Sequence, residues 1–231
     1  RGDAVVQERG RDIRGDAKGR EIMGREIAWE REIRETPGKT YAPRISGQLD
    51  PHFLFNTLNL MARLAEKEKA PETEEMILLL AKYLRHLLRR ETGKDLIPLR
   101  QELEAVRHLL GIFGKRFGSK LEYGIFPEEK TLSLFVPFLI LLPLVEKALL
   151  HGAEESSGPV RIEVAADTTE TDLHLTVRET GPALSAPYDE GAREFLPVRK
   201  RLEYHYSHRG TLIVSGNAEE GLLTTVTLPL K

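Results

Sequence analysis

The stretch Gln48 to Asn59, QLDPHFLFNTLN, sets one imidazole, His52, between a proline and a Phe-Leu-Phe run, with Asn56 four residues on and Asn59 three beyond that. On a helix these side chains, with Arg63 after them, share one face. A neutral imidazole offers a nucleophilic nitrogen near pH 7, and an amide one turn away can orient the ring and choose the nitrogen that attacks. Asp50 and Pro51 suit the N-cap and first helical position, so the spacing predicts a helix that starts, or is kinked, immediately before His52. A lone histidine on a helix is more often a surface or structural residue. The spacing by itself therefore leaves a chemical and a structural reading of His52 open.

The composition narrows the chemistry. Across 231 residues there is no cysteine, which removes disulfides, thiolate metal sites and cysteine nucleophiles. With 40% hydrophobic and 30% charged residues the chain has the profile of a folded soluble protein, and a net charge of −2 argues against nucleic acid as a direct partner of the whole chain. The absence of cysteine is compatible with a cytoplasmic setting. The longest apolar run, Leu134 to Val145, is broken by Pro137 and Pro143 and is shorter than the ~20 residues a membrane helix needs. A start at Arg1, with no signal-like stretch, leads us to expect a piece of a longer protein.

The elements that must position His52 come next. Residues 1–43 read as a charged helical connector and linker: an Arg-acidic-Ile triplet recurs without a heptad register, and TPGKTYAP follows. Residues 44–97 read as two helices. The first carries Leu54, Leu58, Met61 and Ala65 on one face, the second Met76, Leu80, Tyr83, Leu84, Leu87 and Leu88, and the short Ala-Pro connection between them predicts an antiparallel hairpin. Its excess of apolar face suits pairing with a second copy as a four-helix homodimer. Residues 98–231 open with a helix bearing Leu99, Leu103, Val106, Leu110, Phe113 and Phe117. Strand patterns at LEYGIF, VRIEVAA and DLHLTVRE, a buried helix over PFLILLPLVEKALLHG, a short helix at Val198 to Tyr206 and a closing hairpin around Asn217 to Gly221 complete an α/β layer. The fold class expected is α+β, a helical hairpin followed by an α/β sandwich.

In that setting the opening stretch is identifiable. PHFLFNTLN resembles the phospho-acceptor box of LytS-type sensor histidine kinases, which read N-P-H-F-L-F-N. In order along the chain, LIPLRQELEAVRHLLGIFGKRFG is similar to the family's connecting helix, PFLILLPLVEKALLHG to its P-x-x-x-L-Q-P-L-V-E-N-A-I-K-H-G box, VRKRLEYHY to its N-V-R-E-R-L-x-x-x-Y segment, and LLTTVTLPL to its terminal strand. The resemblance covers about residues 45–230. It implies a dimerising phospho-acceptor hairpin and a Bergerat-type (GHKL) ATP-binding sandwich. His52 would take the γ-phosphoryl group of ATP, oriented by Asn56, and pass it to an aspartate of a response regulator. The resemblance further implies ATP and magnesium as cofactors, a nucleotide site containing Glu146, Lys147, His151, Glu179, Gly181 and Gly191, a regulator of the LytTR type, and membrane anchoring of the full-length protein.

The sequence departs from the family at the nucleotide boxes. Lys147 stands where the family has a magnesium-binding asparagine, and an ammonium has three donors and no lone pair for a cation, so no metal ligand is expected there. Leu142 replaces a glutamine. RETGPAL keeps Gly181 of the D-x-G-x-G box but carries Glu179 for the aspartate and Ala183 for the second glycine. In EGAREFLPVRKRL, Gly191 remains, while Glu194 and Phe195 bring charge and bulk where backbone amides should meet phosphate, and Leu222-Leu223 replaces a Gly-Thr pair. Three readings therefore stand: an active kinase with an unusual pocket, a degenerate pseudokinase acting as dimeric scaffold, phospho-acceptor or phosphatase, and a structural dimerisation module in which His52 is inert.

Overall fold

Proline opens both helices of the hairpin, at a position where its missing N–H costs nothing. The computed structural model describes residues 51–88, 96–154, 158–181, 195–217 and 221–230, so the connector expected over 1–43 lies outside the described residues. Helix α1, Pro51–Lys67, ends as Lys69 turns into the left-handed region at φ 56° and the Ala70 N–H closes on the Ala65 carbonyl at 2.9 Å. Helix α2, Pro71–Leu87, then runs back, with Glu72 and Glu74 in its first turn and Arg85 and His86 in its last, both favourable for the helix dipole. Leu58, Ala62 and Ala65 of α1 and Ala81 of α2 are buried, and three alanines let the helices approach closely. Met61, expected on the packed face, is 47% exposed, and Ala62 takes its place.

Strand β1, Leu96–Pro98, pairs antiparallel with β3, Phe135–Pro137, a short ladder below the length at which alternation can be read from sequence. Helix α3, Leu99–Phe117, follows and packs on α2, where a Cβ added at Gly111 would stand 3.2 Å from Leu79. Thus α1 packs on α2 and α2 on α3.

The main sheet has the order β2-β4-β5-β7-β6, built from Leu121–Pro127, Val160–Thr168, Asp172–Thr180, Gly221–Pro229 and Thr211–Asn217. Only β2 and β4 are parallel. That pairing needs a crossover, supplied by β3, the helix α4 at Leu142–Ala148 and a π-helical turn at Leu149–Glu154. Alternation places Val160, Ile162, Val164 and Ala166 of β4, Leu173, Leu175 and Val177 of β5, and Leu222, Val226 and Leu228 of β7 in one core with α3, α4 and α5, the last being Leu196–Tyr206. The architecture is the expected one, a helical hairpin and then an α/β sandwich, within one unit spanning Asp50–Lys231.

Candidate functional site

His52 lies exposed in the first turn of α1. The side-chain nitrogen of Asn56 stands 3.2 Å from its Nδ1 and 3.3 Å from its Nε2, so the amide meets the ring between its two nitrogens and does not single one out. The turn is held from both sides. Thr57 Oγ1 donates to the Phe53 carbonyl at 2.9 Å, and from α2 the Arg85 guanidinium lies 5.1 Å from the centre of the Phe55 ring. Around α1 three faces are distinct: Leu58, Ala62 and Ala65 packed inward, the polar row of His52, Asn56, Asn59 and Arg63, and an exposed apolar stripe of Phe53, Leu60, Met61 and Leu64.

The residues expected at the nucleotide site sit at the C-terminal side of α4 and at the end of β5. Glu146 and Lys147 are half-buried in α4, and His151 lies in the π-helical turn after it, an interruption that recurs at functional sites. Glu179 continues the core-facing row of β5 and is 6% exposed, between Ile162 and Leu222 in the ladder. Gly152 admits it: a Cβ there would meet the Glu179 Oε1 at 2.7 Å and Val160 at 2.7 Å. Gly181, just past β5, passes the same valine, with a would-be Cβ 2.9 Å from it. Gly221, at φ +80°, is fixed as glycine because a Cβ would collide with the Glu179 carbonyl. So the fold brings Glu179, Gly181 and the turn holding His151 together around Val160. Gly191 lies outside the described residues. Phe195, expected to bring bulk to the phosphate site, is 1% exposed and belongs to the hydrophobic core at the start of α5.

Among the described residues no group of three or more His, Asp or Glu side chains could hold a metal ion. In α4 the carboxylate of Glu146 already accepts a 2.7 Å hydrogen bond from the Tyr83 hydroxyl, and Lys147 contributes a cation. This donor set does not fit magnesium, which takes oxygen ligands.

The structure gives a role to Glu102, which the sequence marks only as one of the residues by which α3 resembles the family's connecting helix. Glu102 of α3 is fully buried. It accepts from the Leu139 N–H at 2.8 Å and the Leu141 N–H at 3.2 Å, and lies 3.2 Å from His86 Nε2 of α2. Leu139 is left-handed at φ 59°, so Glu102 fixes the bend that launches α4. His86 also stacks on Phe138, with ring centres 5.0 Å apart. Burial pulls the Arg201 guanidinium below its ordinary range, and the charge of Glu102 opposes this. The signal was available. Glu102 occupies the apolar row of α3, one turn from Leu99 and one from Val106, where a carboxylate survives only with partners.

The hairpin presents an exposed histidine beside an α/β sandwich, and residues 44–121 match the family model described as histidine kinase. The chain is 26% identical over 215 residues to the sensor histidine kinase YesM of Bacillus subtilis (strain 168), covering 91% of this chain and 36% of YesM. It is 31% identical over 140 residues to the sensor protein LytS of Bacillus cereus, covering 61% of this chain and 23% of LytS. A solved catalytic domain of histidine kinase ThkA aligns with 58% of this chain and 95% of its own, at 15% identity and a TM-score of 0.45. The chain is thus similar to sensor histidine kinases of the YesM and LytS kind, with the family-model match lying over the hairpin and α3. It spans well under two thirds of the curated relatives it matches.

Proposed function

We propose that the chain is the kinase part of a two-component sensor, which phosphorylates itself on His52 with ATP and hands the group to an aspartate of a response regulator. The exposed His52 with the Asn56 amide against it is the observation that carries this reading. In the transfer an imidazole nitrogen forms a bond to the γ-phosphorus, the bond from that phosphorus to the bridging oxygen breaks, ADP leaves, and the ring sheds a proton. Glu146, Lys147, Glu179, Gly181 and the turn carrying His151 form the nucleotide side, and the Lys147 ammonium supplies the positive charge that magnesium supplies in the family. Magnesium then contributes little to nucleotide binding. A saturable, magnesium-dependent thermal stabilisation by ATP would contradict that point.

The stripe of Phe53, Leu60, Met61 and Leu64 supports a homodimer through the hairpin, since an amphipathic hairpin with a second apolar face is covered by a second copy. A LytTR-type regulator and attachment to a membrane through segments outside this chain complete the reading. Among the described residues no helix is long and apolar enough to cross a membrane. The test is incubation with γ-labelled ATP. Acid-labile label on the chain and none on His52→Ala is expected, and label that persists in the variant overturns the assignment.

A second reading is favoured by Lys147 alone: a chain without its own ATP chemistry, in which His52 exchanges phosphate with a regulator. It predicts no label from ATP, but His52-dependent loss of phosphate from a phosphorylated regulator.

A further inference from the structure

Three side chains on one face of α2 meet the sandwich: Leu79 reaches Gly111, Tyr83 reaches Glu146 and His86 reaches Glu102. The spacing of four and then three residues is that of one helical face. Leu79 is an apolar contact and His86 ends on a structural carboxylate. Tyr83 differs, because its 2.7 Å hydrogen bond ends on a residue of the proposed nucleotide site, 63 positions away in the chain. It takes Oε1, one of only two oxygens that Glu146 can offer. Meanwhile α1, with His52 at its start, packs on α2.

We propose that the Tyr83–Glu146 hydrogen bond is a latch that holds the acceptor hairpin against α4 and competes with nucleotide for the Glu146 carboxylate. This rests on the nucleotide reading of Glu146. With the latch closed, the hairpin and the nucleotide segment keep a fixed register; when nucleotide draws Glu146 away, α2 loses a polar anchor and the hairpin is released to bring a histidine to the phosphoryl group. The phenol is well suited to this. Burial, then the hydrogen bond and charge of Glu146, hold its proton far above the ordinary tyrosine range, so it remains a donor throughout the working pH range. The contact is also partly buried, which makes each end costly to leave unpaired and gives the switch two defined states.

The experiment compares the full chain with Tyr83→Phe, which keeps the ring packing and removes only the hydroxyl. Hydrogen exchange of residues 79–87 and 142–148 is followed without nucleotide, and binding of the non-hydrolysable analogue AMP-PNP is measured alongside. The latch predicts faster exchange in both segments and roughly five- to tenfold tighter analogue binding, the size of one net hydrogen bond. Unchanged exchange overturns the latch. Faster exchange with unchanged binding, in a chain that does bind the analogue, overturns the competition. Failure of either form to bind overturns the nucleotide reading and the competition with it, while the exchange data still decide whether Tyr83 holds the hairpin. Glu146→Gln retains an acceptor for the phenol, so it should leave exchange near the unsubstituted chain, whereas Glu146→Ala should match Tyr83→Phe in exchange alone, since it also removes the carboxylate that the nucleotide would use.

Discussion

The hairpin and the sandwich solve the same packing problem with different means. In the sandwich, Leu110, Val145, Ile162, Leu175 and Val226 are completely buried, and each strand of the central sheet turns one face to the helices. In the hairpin, the buried apolar set is Leu58, Ala62, Ala65 and Ala81, and Phe53, Leu60, Met61 and Leu64 face outward. The sandwich is closed upon itself, while the hairpin is finished only by α3 on one side and, in the proposed dimer, by a second copy on the other. A phospho-acceptor needs that openness, since the same histidine must meet a nucleotide site and then a regulator. The proposed nucleotide side would need the opposite, a rigid frame, and Glu102 contributes to one by holding the amides of Leu139 and Leu141 just before α4.

The comparison can be broken most sharply at Glu102. Replacing it with alanine leaves the amides of Leu139 and Leu141 and the His86 ring without their carboxylate, in an interior where nothing else is offered. A loss of about 3–5 kcal/mol is expected, the cost of breaking a buried polar pair, read as a fall in the urea midpoint with unchanged slope. A loss below about 1 kcal/mol would show that the bend at Leu139 does not depend on it.

Leu60→Ala in the exposed stripe should change folding stability by no more than about 0.5 kcal/mol while raising the dimer dissociation constant by about tenfold, as for a truncated interface anchor. Sedimentation at several concentrations reads the second effect. An unchanged self-association would remove the stripe from the interface.

The smallest effect is a pH dependence in the cleft between α2 and α3. There burial, and then the charge of Lys82, holds His108 below the ordinary histidine value. Its folded form favours the neutral ring, so the unfolded chain binds more protons in the acid range and stability must fall as pH drops below about 6.5. Above that value the contribution is constant. His108→Gln should flatten this part of the stability profile in acid, and an unaltered profile would assign the acid sensitivity elsewhere.

Much of this was legible in the residues. The four antiparallel-sheet strands alternate clearly, and the box around His52 named its own helix. The β1–β3 ladder was hidden, because three-residue strands carry no period and PFLILLPL reads as one helix until Pro137 and Pro143 are given separate elements. Met61 and Ala62 exchanged roles because a helical stripe read from sequence is certain only to within one position at its edge. Tyr83 was read as part of an apolar stripe, since nothing local marks a phenol whose partner is 63 residues away. Phe195 was misplaced for a related reason. A bulky residue beside a glycine-rich lid looks like an obstruction, yet its ring is core.

The central claim of the proposed function is that His52 accepts phosphate from a nucleotide site in which Lys147 stands in for the metal. It is tested most directly by labelling from γ-labelled ATP, with and without magnesium, for the unsubstituted chain and Lys147→Asn. The account predicts label on His52 that changes little with magnesium in the unsubstituted chain and becomes magnesium-dependent in Lys147→Asn. Label that already requires magnesium while Lys147 is in place would contradict it.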